Sequence, residues 1–113
     1  SEKEQKIANE ISSNFKKEKI MLLSNKSISQ SMPFIASCAV SICNDTSFQH
    51  ISCLLNVPTI ILKLDTPSAY TSYSTLQHSI LPEGYSEVDH NTRADPNLIK
   101  VDKVFNKVLE LIN

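Results

Sequence analysis

Three short apolar runs, Ile20–Leu23, Ala39–Cys43 and Thr59–Leu64, alternate with segments of helical periodicity, and this alternation limits the available folds more than any other feature. Runs this short, without in-and-out alternation, suit strands buried on both faces of a sheet. The third is rich in β-branched residues, which favours extended backbone. Strands separated by helices must pair in parallel through right-handed crossovers. The expected fold is therefore α/β, a three-layer Rossmann-like domain with a mostly parallel sheet, occupying residues 1–113 as one unit. Such units open with a strand and this chain opens with a helical pattern, so the first strand is expected to be missing.

The helical segments carry recognisable start and stop signals. Ser1 with Glu4 fits a capping box, and Ile7, Ala8, Ile11 and Phe15 follow on one face. Lys16, Lys17 and Lys19 suit the C-terminal end of that helix. From Asn25 to Cys38 the pattern reads as a turn and then a helix with Ile28, Met32, Ile35 and Ala36 on its inner face, kinked or started near Pro33. Phe48, Ile51, Leu54 and Leu55 define the next helix, closed by Asn56 and Pro58. Residues 65–98 are polar and punctuated by Pro67, Pro82 and Pro96; a short helix near Ser68–Leu76 and a weak strand near Ile80 are expected there. Val101, Val104, Phe105, Val108, Leu109 and Ile112 form a strongly amphipathic closing helix.

Length and composition exclude several classes. With 113 residues the chain supports one domain with a modest core. Its net charge of -1 and lack of a basic block remove the usual electrostatic footprint for nucleic acid. No apolar run approaches the roughly 20 residues that cross a bilayer, and the charged opening Ser1–Lys6 is unlike a signal peptide. The expected location is cytoplasmic, or peripheral at the inner face of the membrane. Cys38, Cys43 and Cys53 lack metal-ligand spacing and sit in apolar runs, so they are expected to be buried, reduced thiols. No metal or other cofactor is expected. The single glycine, Gly84, rules out Gly-rich phosphate loops.

An anion site therefore needs another device, and the run Ser41–His50 contains one. An apolar strand ends in Asn44-Asp45-Thr46-Ser47 and a helix starts at once. The first N–H groups of a helix have no intrahelical partners and favour negative charge, phosphates included. Thr46 and His50 are four residues apart and share a helix face, with His50 leaning back toward the helix start. Thr46 or Ser47 and His50 can donate to a phosphate, while Asp45 suits a sugar or ribose hydroxyl. A plainer reading stands beside this one: Thr46 with Gln49 forms a second capping box, and Asp45 and Thr46 only start a helix.

From Ser27 to Leu62 the chain resembles glycosyltransferase family 9, the ADP-heptose:lipopolysaccharide heptosyltransferases and their relatives. The resemblance rests on Ser27-Ile28 at a helix start, Asp45-Thr46-Ser47-Phe48-Gln49-His50 at the strand–helix junction, and Val57-Pro58-Thr59-Ile60 leading into the next strand. It implies the C-terminal, donor-binding half of a GT-B enzyme that inverts at the anomeric carbon without a metal, its general base supplied by the other half. Asp45, Thr46, Ser47 and His50 are then expected to line the diphosphate and sugar site, with Thr66 on the phosphate side. Lys26 falls where the family contacts the base, and Glu4 where an acid approaches the donor. The implied partners are a nucleotide-sugar donor, ADP-sugar first, and a glycan or glycolipid acceptor bound through an N-terminal domain. A nucleotide-sugar hydrolase or epimerase of the same architecture is an alternative, as is a non-catalytic α/β interaction module.

Several positions depart from the family pattern. Ser47 replaces a glycine that lets backbone approach phosphate closely. Leu64 replaces another, and Asp65 adds a charge that repels a diphosphate. Elsewhere, His78, Asp89 and His90 are expected on a solvated surface, and Tyr70, Tyr73 and Tyr85 are expected to pack a loop onto the sheet. An unpaired sheet edge is expected to drive self-association.

Overall fold

A computed structural model describes residues 1–113. The chain divides into two compact units, Ser1–Ser31 and Met32–Asn113. In the first, α1 spans Glu2–Ser13 and starts with the expected capping box: Glu4 N–H donates to Ser1 Oγ at 3.3 Å, while Ser1 Oγ donates to Glu4 Oε2 at 2.8 Å. No basic residue lies in its last turn. Lys17–Lys19 instead forms a separate 3-10 turn. Ile20–Leu23, expected to be a strand, has no ladder partner and is coil, with Met21 exposed. An apolar run favours extended backbone, but only hydrogen bonds to a neighbour make it a strand.

Helix α2 (Ile28–Ala36) contains Pro33 and runs across the boundary between the units. Of its residues only Ser31 is buried, whereas Ile28, Met32 and Phe34 are exposed, unlike the inner face expected for Ile28 and Met32.

The second unit holds a parallel sheet of β1 (Ser41–Asn44), β2 (Thr59–Leu62) and β3 (Gln77–Ile80), in that order. Ser41 pairs with Thr59 and Thr59 with Gln77, and the register continues to Asn44, Leu62 and Ile80. Helix α3 (Ser47–Leu54) makes the crossover from β1 to β2. Central strand β2 is buried along Thr59, Ile60 and Ile61, as a continuous apolar run in a parallel sheet requires. Edge strand β1 alternates instead, with Ile42 and Asn44 exposed. Asn56 closes the α3 segment with φ 61°, the left-handed conformation that asparagine tolerates. Gly84, at φ 87°, supplies a positive-φ turn after β3.

The core is small: Val57, Ile60, Ile61, Ile80, Val88 and Ala94. Helix α4 (Val101–Ile112) forms as its periodicity predicts and contacts β2, with none of its residues fully buried. Val101, Phe105 and Ile112 are exposed, and an apolar cavity of about 490 Å³ lies between Ile42, Leu62 and Leu64 on the sheet side and Val104, Phe105 and Val108 of α4. A 3-10 turn, Ser68–Tyr70, stands where the short helix near Ser68–Leu76 is expected, and a second, Pro96–Leu98, precedes α4.

The cysteines also differ from expectation. All three are free, but Cys38 is exposed and Cys43 and Cys53 are only half-buried. Burial still pushes the Cys43 thiol up to about 11, aided by its neighbours Cys53 and Asp45.

Candidate functional site

The parallel register brings two chain segments to one end of the sheet. Asn44 and Leu62 are paired, so Asp45–Ser47 and Lys63–Thr66 leave the carboxyl ends of adjacent strands. Ligands of open α/β sheets bind in the crevice outside those ends. Thr46 is the N-cap of α3 with extended backbone (φ -142°, ψ 174°), yet its side chain makes no capping hydrogen bond. The capping box expected from Thr46 and Gln49 is therefore absent. Thr46 and Ser47 are both exposed, which leaves two uncommitted hydroxyls beside the first α3 amides. Ser47 stands where the family favours glycine, but the positive-φ residues are Asn56, Gly84 and Arg93, so backbone conformation does not demand glycine at this position.

Gln49 is unavailable for capping because it is fully buried in a different role. Its Nε2 donates to Asp45 Oδ1, and its Oε1 accepts from Gln77 Nε2 at 3.0 Å. Gln77 Oε1 in turn accepts the backbone N–H groups of Tyr73, at 2.9 Å, and Ser74, at 3.1 Å. This chain of amides fixes Asp45, the first turn of α3 and the loop before β3 against one another. Next to Gln49, the half-buried His50 ring stacks on Tyr73, with centroids 5.6 Å apart and planes 10° apart, and His50 Nδ1 lies 2.6 Å from Tyr73 Oη.

Lys63 is the buried cation of this region, at 1% exposure, and its Nζ donates to Ser68 Oγ at 3.0 Å. Burial pulls its ammonium below the ordinary lysine range, opposed by the carboxylates of Asp45 and Glu87. Thr66 is half-buried and Asp65 exposed on the segment that follows. In the same turn Thr71 Oγ1 is buried without a hydrogen-bond partner.

The structure thus brings Asp45, Thr46, Ser47 and His50 together and sets Thr66 on the adjacent strand exit. Glu4 and Lys26 belong to the first unit. Glu4 is engaged at its own helix start, where the terminal ammonium donates to Oε2 at 2.7 Å and holds the carboxyl below its usual range. Lys26 N–H donates to Leu23 O at 2.9 Å in a turn. Residues 1–96 match glycosyltransferase family 9 (heptosyltransferase). The chain belongs to glycosyltransferase family 9. No individual curated protein and no solved structure matches it.

Family 9 membership makes a nucleotide-sugar donor and a glycan acceptor the general partners. Of the tyrosines expected to pack a loop on the sheet, Tyr70, Tyr73 and Tyr85 are all exposed, and Tyr73 is committed to His50 instead. His90 tilts against Tyr70, and Asp89 Oδ1 accepts from Asn91 N–H at 2.8 Å, so these loop residues serve local structure. Sequence reasoning missed the site roles of Gln49, Gln77, Lys63 and Tyr73. A signal existed for Lys63, a cation inside a run read as a buried strand. None existed for the Gln49–Gln77 bond, which spans 28 residues. No helix in the chain is long and apolar enough to cross a membrane.

Proposed function

We propose that this chain binds the nucleotide-diphosphate-sugar donor of a heptosyltransferase-type glycosyltransferase, ADP-sugar first, with the diphosphate at the N-terminus of α3. The observation that carries the reading is the pair of exposed hydroxyls on Thr46 and Ser47, neither used as a cap. They adjoin free helix amides and lie one turn from His50. The diphosphate accepts from these groups, and Asp45 accepts from a sugar or ribose hydroxyl. Thr66 borders the phosphates from the neighbouring strand exit; in the family pattern, by resemblance alone, Lys26 falls where the base is contacted and Glu4 where an acid approaches the donor.

The chemical role of such a site is to hold charge on the departing nucleoside diphosphate while the glycosidic bond changes partners. The family resemblance assigns the general base and the glycan or glycolipid acceptor to the other half of the enzyme. The process served is bacterial cell-envelope glycan synthesis, lipopolysaccharide included, on the cytoplasmic side of the membrane. The open edge of β1 supports association with a second copy, which sedimentation equilibrium would detect as a rise in mass with concentration.

The test is an NMR titration of isotope-labelled protein with ADP, GDP and UDP. Saturable shifts at the amides of residues 45–50, weakened by Thr46→Ala, are expected, and the three nucleotides rank the base. Shifts elsewhere, with residues 45–50 unmoved, would refute the site.

A further inference from the structure

The contact between His50 and Tyr73 has a chemical consequence for the ring nitrogen on the other side. His50 Nδ1 and Tyr73 Oη are 2.6 Å apart. Two arrangements are possible for a neutral ring: Nδ1–H donates to the phenol oxygen, or the phenol O–H donates to a bare Nδ1. A phosphate oxygen only accepts, so a His50 that serves the donor site must carry its proton on Nε2 and take the phenol O–H at Nδ1.

With Nδ1 as acceptor, the single N–H of the neutral imidazole sits on Nε2. The contact to Tyr73 is the one hydrogen bond of the His50 ring, so Nε2–H is uncommitted. The stacked geometry and the Gln77 bond to Tyr73 N–H hold the phenol in place, while buried Gln49 fixes the helical turn that carries His50.

We propose that Tyr73 is a positioning residue: it fixes His50 as the Nε2–H tautomer and presents that N–H to an oxygen of the donor diphosphate, a role that rests on the donor-site reading above. Tyr73 acts through His50 and need not touch the ligand itself.

The experiment is long-range 1H–15N correlation of the His50 ring in the full chain, at about pH 8.5, above the range in which imidazole ordinarily titrates. The expected result is a protonated Nε2 and an unprotonated Nδ1, with the Nδ1 resonance moving in Tyr73→Phe, which keeps the stacked ring and removes only the hydroxyl. Because Tyr73 is 57% exposed, that variant should fold as the parent does. On addition of ADP the Nε2 signal shifts, and Tyr73→Phe binds ADP about fivefold more weakly, the effect of one hydrogen bond. A protonated Nδ1 in the parent, ring signals unchanged in Tyr73→Phe, or equal ADP affinity of the two proteins would each overturn the positioning role. Failure of the donor-site reading looks different: the ring shows the expected tautomer, but ADP leaves the parent unshifted, which overturns the phosphate contact alone.

Discussion

Replacing Gln49 with leucine keeps most of the side-chain volume and deletes both of its hydrogen bonds. One runs to the carboxylate of Asp45 and one to Gln77 Nε2 at 3.0 Å, and Gln49 has no exposure to water that could replace them. A bond to a charged group contributes about 1.5–3 kcal/mol and a neutral one about 1 kcal/mol. The added apolar surface of leucine offsets part of this. The expected loss of stability is about 2–4 kcal/mol, read from urea unfolding by circular dichroism. The exposed Gln5–Asn9 bond, 3.0 Å long, gives the control: Gln5→Ala should change stability by less than about 0.5 kcal/mol. A double-mutant cycle with Gln77→Leu isolates the pair, with an expected coupling of about 1 kcal/mol. A Gln49→Leu loss below about 0.5 kcal/mol, or strict additivity with Gln77→Leu, would refute the claim that this network holds the α3 start to the loop before β3.

Other expectations follow from single contacts. Because the Thr46 side chain makes no cap bond, Thr46→Ala should leave stability within a few tenths of a kcal/mol, where a working N-cap loses about 1 kcal/mol; thermal denaturation distinguishes the two. The Cys43 thiol, raised to about 11, should react with a disulfide reagent at pH 8 on the order of 100-fold more slowly than exposed Cys38, measured by mass spectrometry of labelled peptides. Its raised value also means the folded state holds the thiol proton longer, so stability falls as pH rises from 9.0 toward about 11, and Cys43→Ala should abolish that part of the decline. Lys63 has the opposite sign: its folded value is lowered, so the unfolded chain binds more protons and stability rises as pH climbs toward the ordinary lysine value of 10.5, a rise that Lys63→Met should remove.

The parts legible in the sequence were those set by local pattern. Strand β2 could be read because a central parallel strand is apolar on both faces, and Asn56 because few residues accept its left-handed backbone. The segment Ile20–Leu23 misled because its composition matches a strand while strand formation depends on a partner. Helix α4 was predicted as a helix from its apolar periodicity, but that pattern cannot say what the apolar face meets, and Phe105 remains 59% exposed. At the site, the Asp45–His50 junction was legible because its residues are consecutive and helical geometry relates them. The Thr46–Gln49 cap was a sound local expectation that lost to a buried, longer-range bond. Tyr73 meets His50 across 23 residues of irregular chain, and no periodicity encodes such a meeting.

The charges around the crevice bear on the diphosphate recognition proposed above. Asp45 and Asp65 flank the two strand exits, and Glu87 acts on Lys63 together with Asp45. Lys63 is the one buried cation among them, but its ammonium is already used by Ser68 and is shielded from solvent at 1% exposure. Its charge therefore serves first to balance the neighbouring carboxylates, since an unbalanced buried charge is strongly unfavourable. What the proposed site offers a phosphate is a set of dipolar donors: the α3 amides, the Thr46 and Ser47 hydroxyls and, in the tautomer proposed above, the Nε2–H of His50. Dipolar donors act only at close range and in the right direction, unlike a lysine, whose charge attracts from several ångströms away. Affinity at such a site rests on the aim of each group. That is the physical reason the bond between buried Gln49 and half-buried Gln77, and the Tyr73 hydroxyl beside His50, bear on the proposed site.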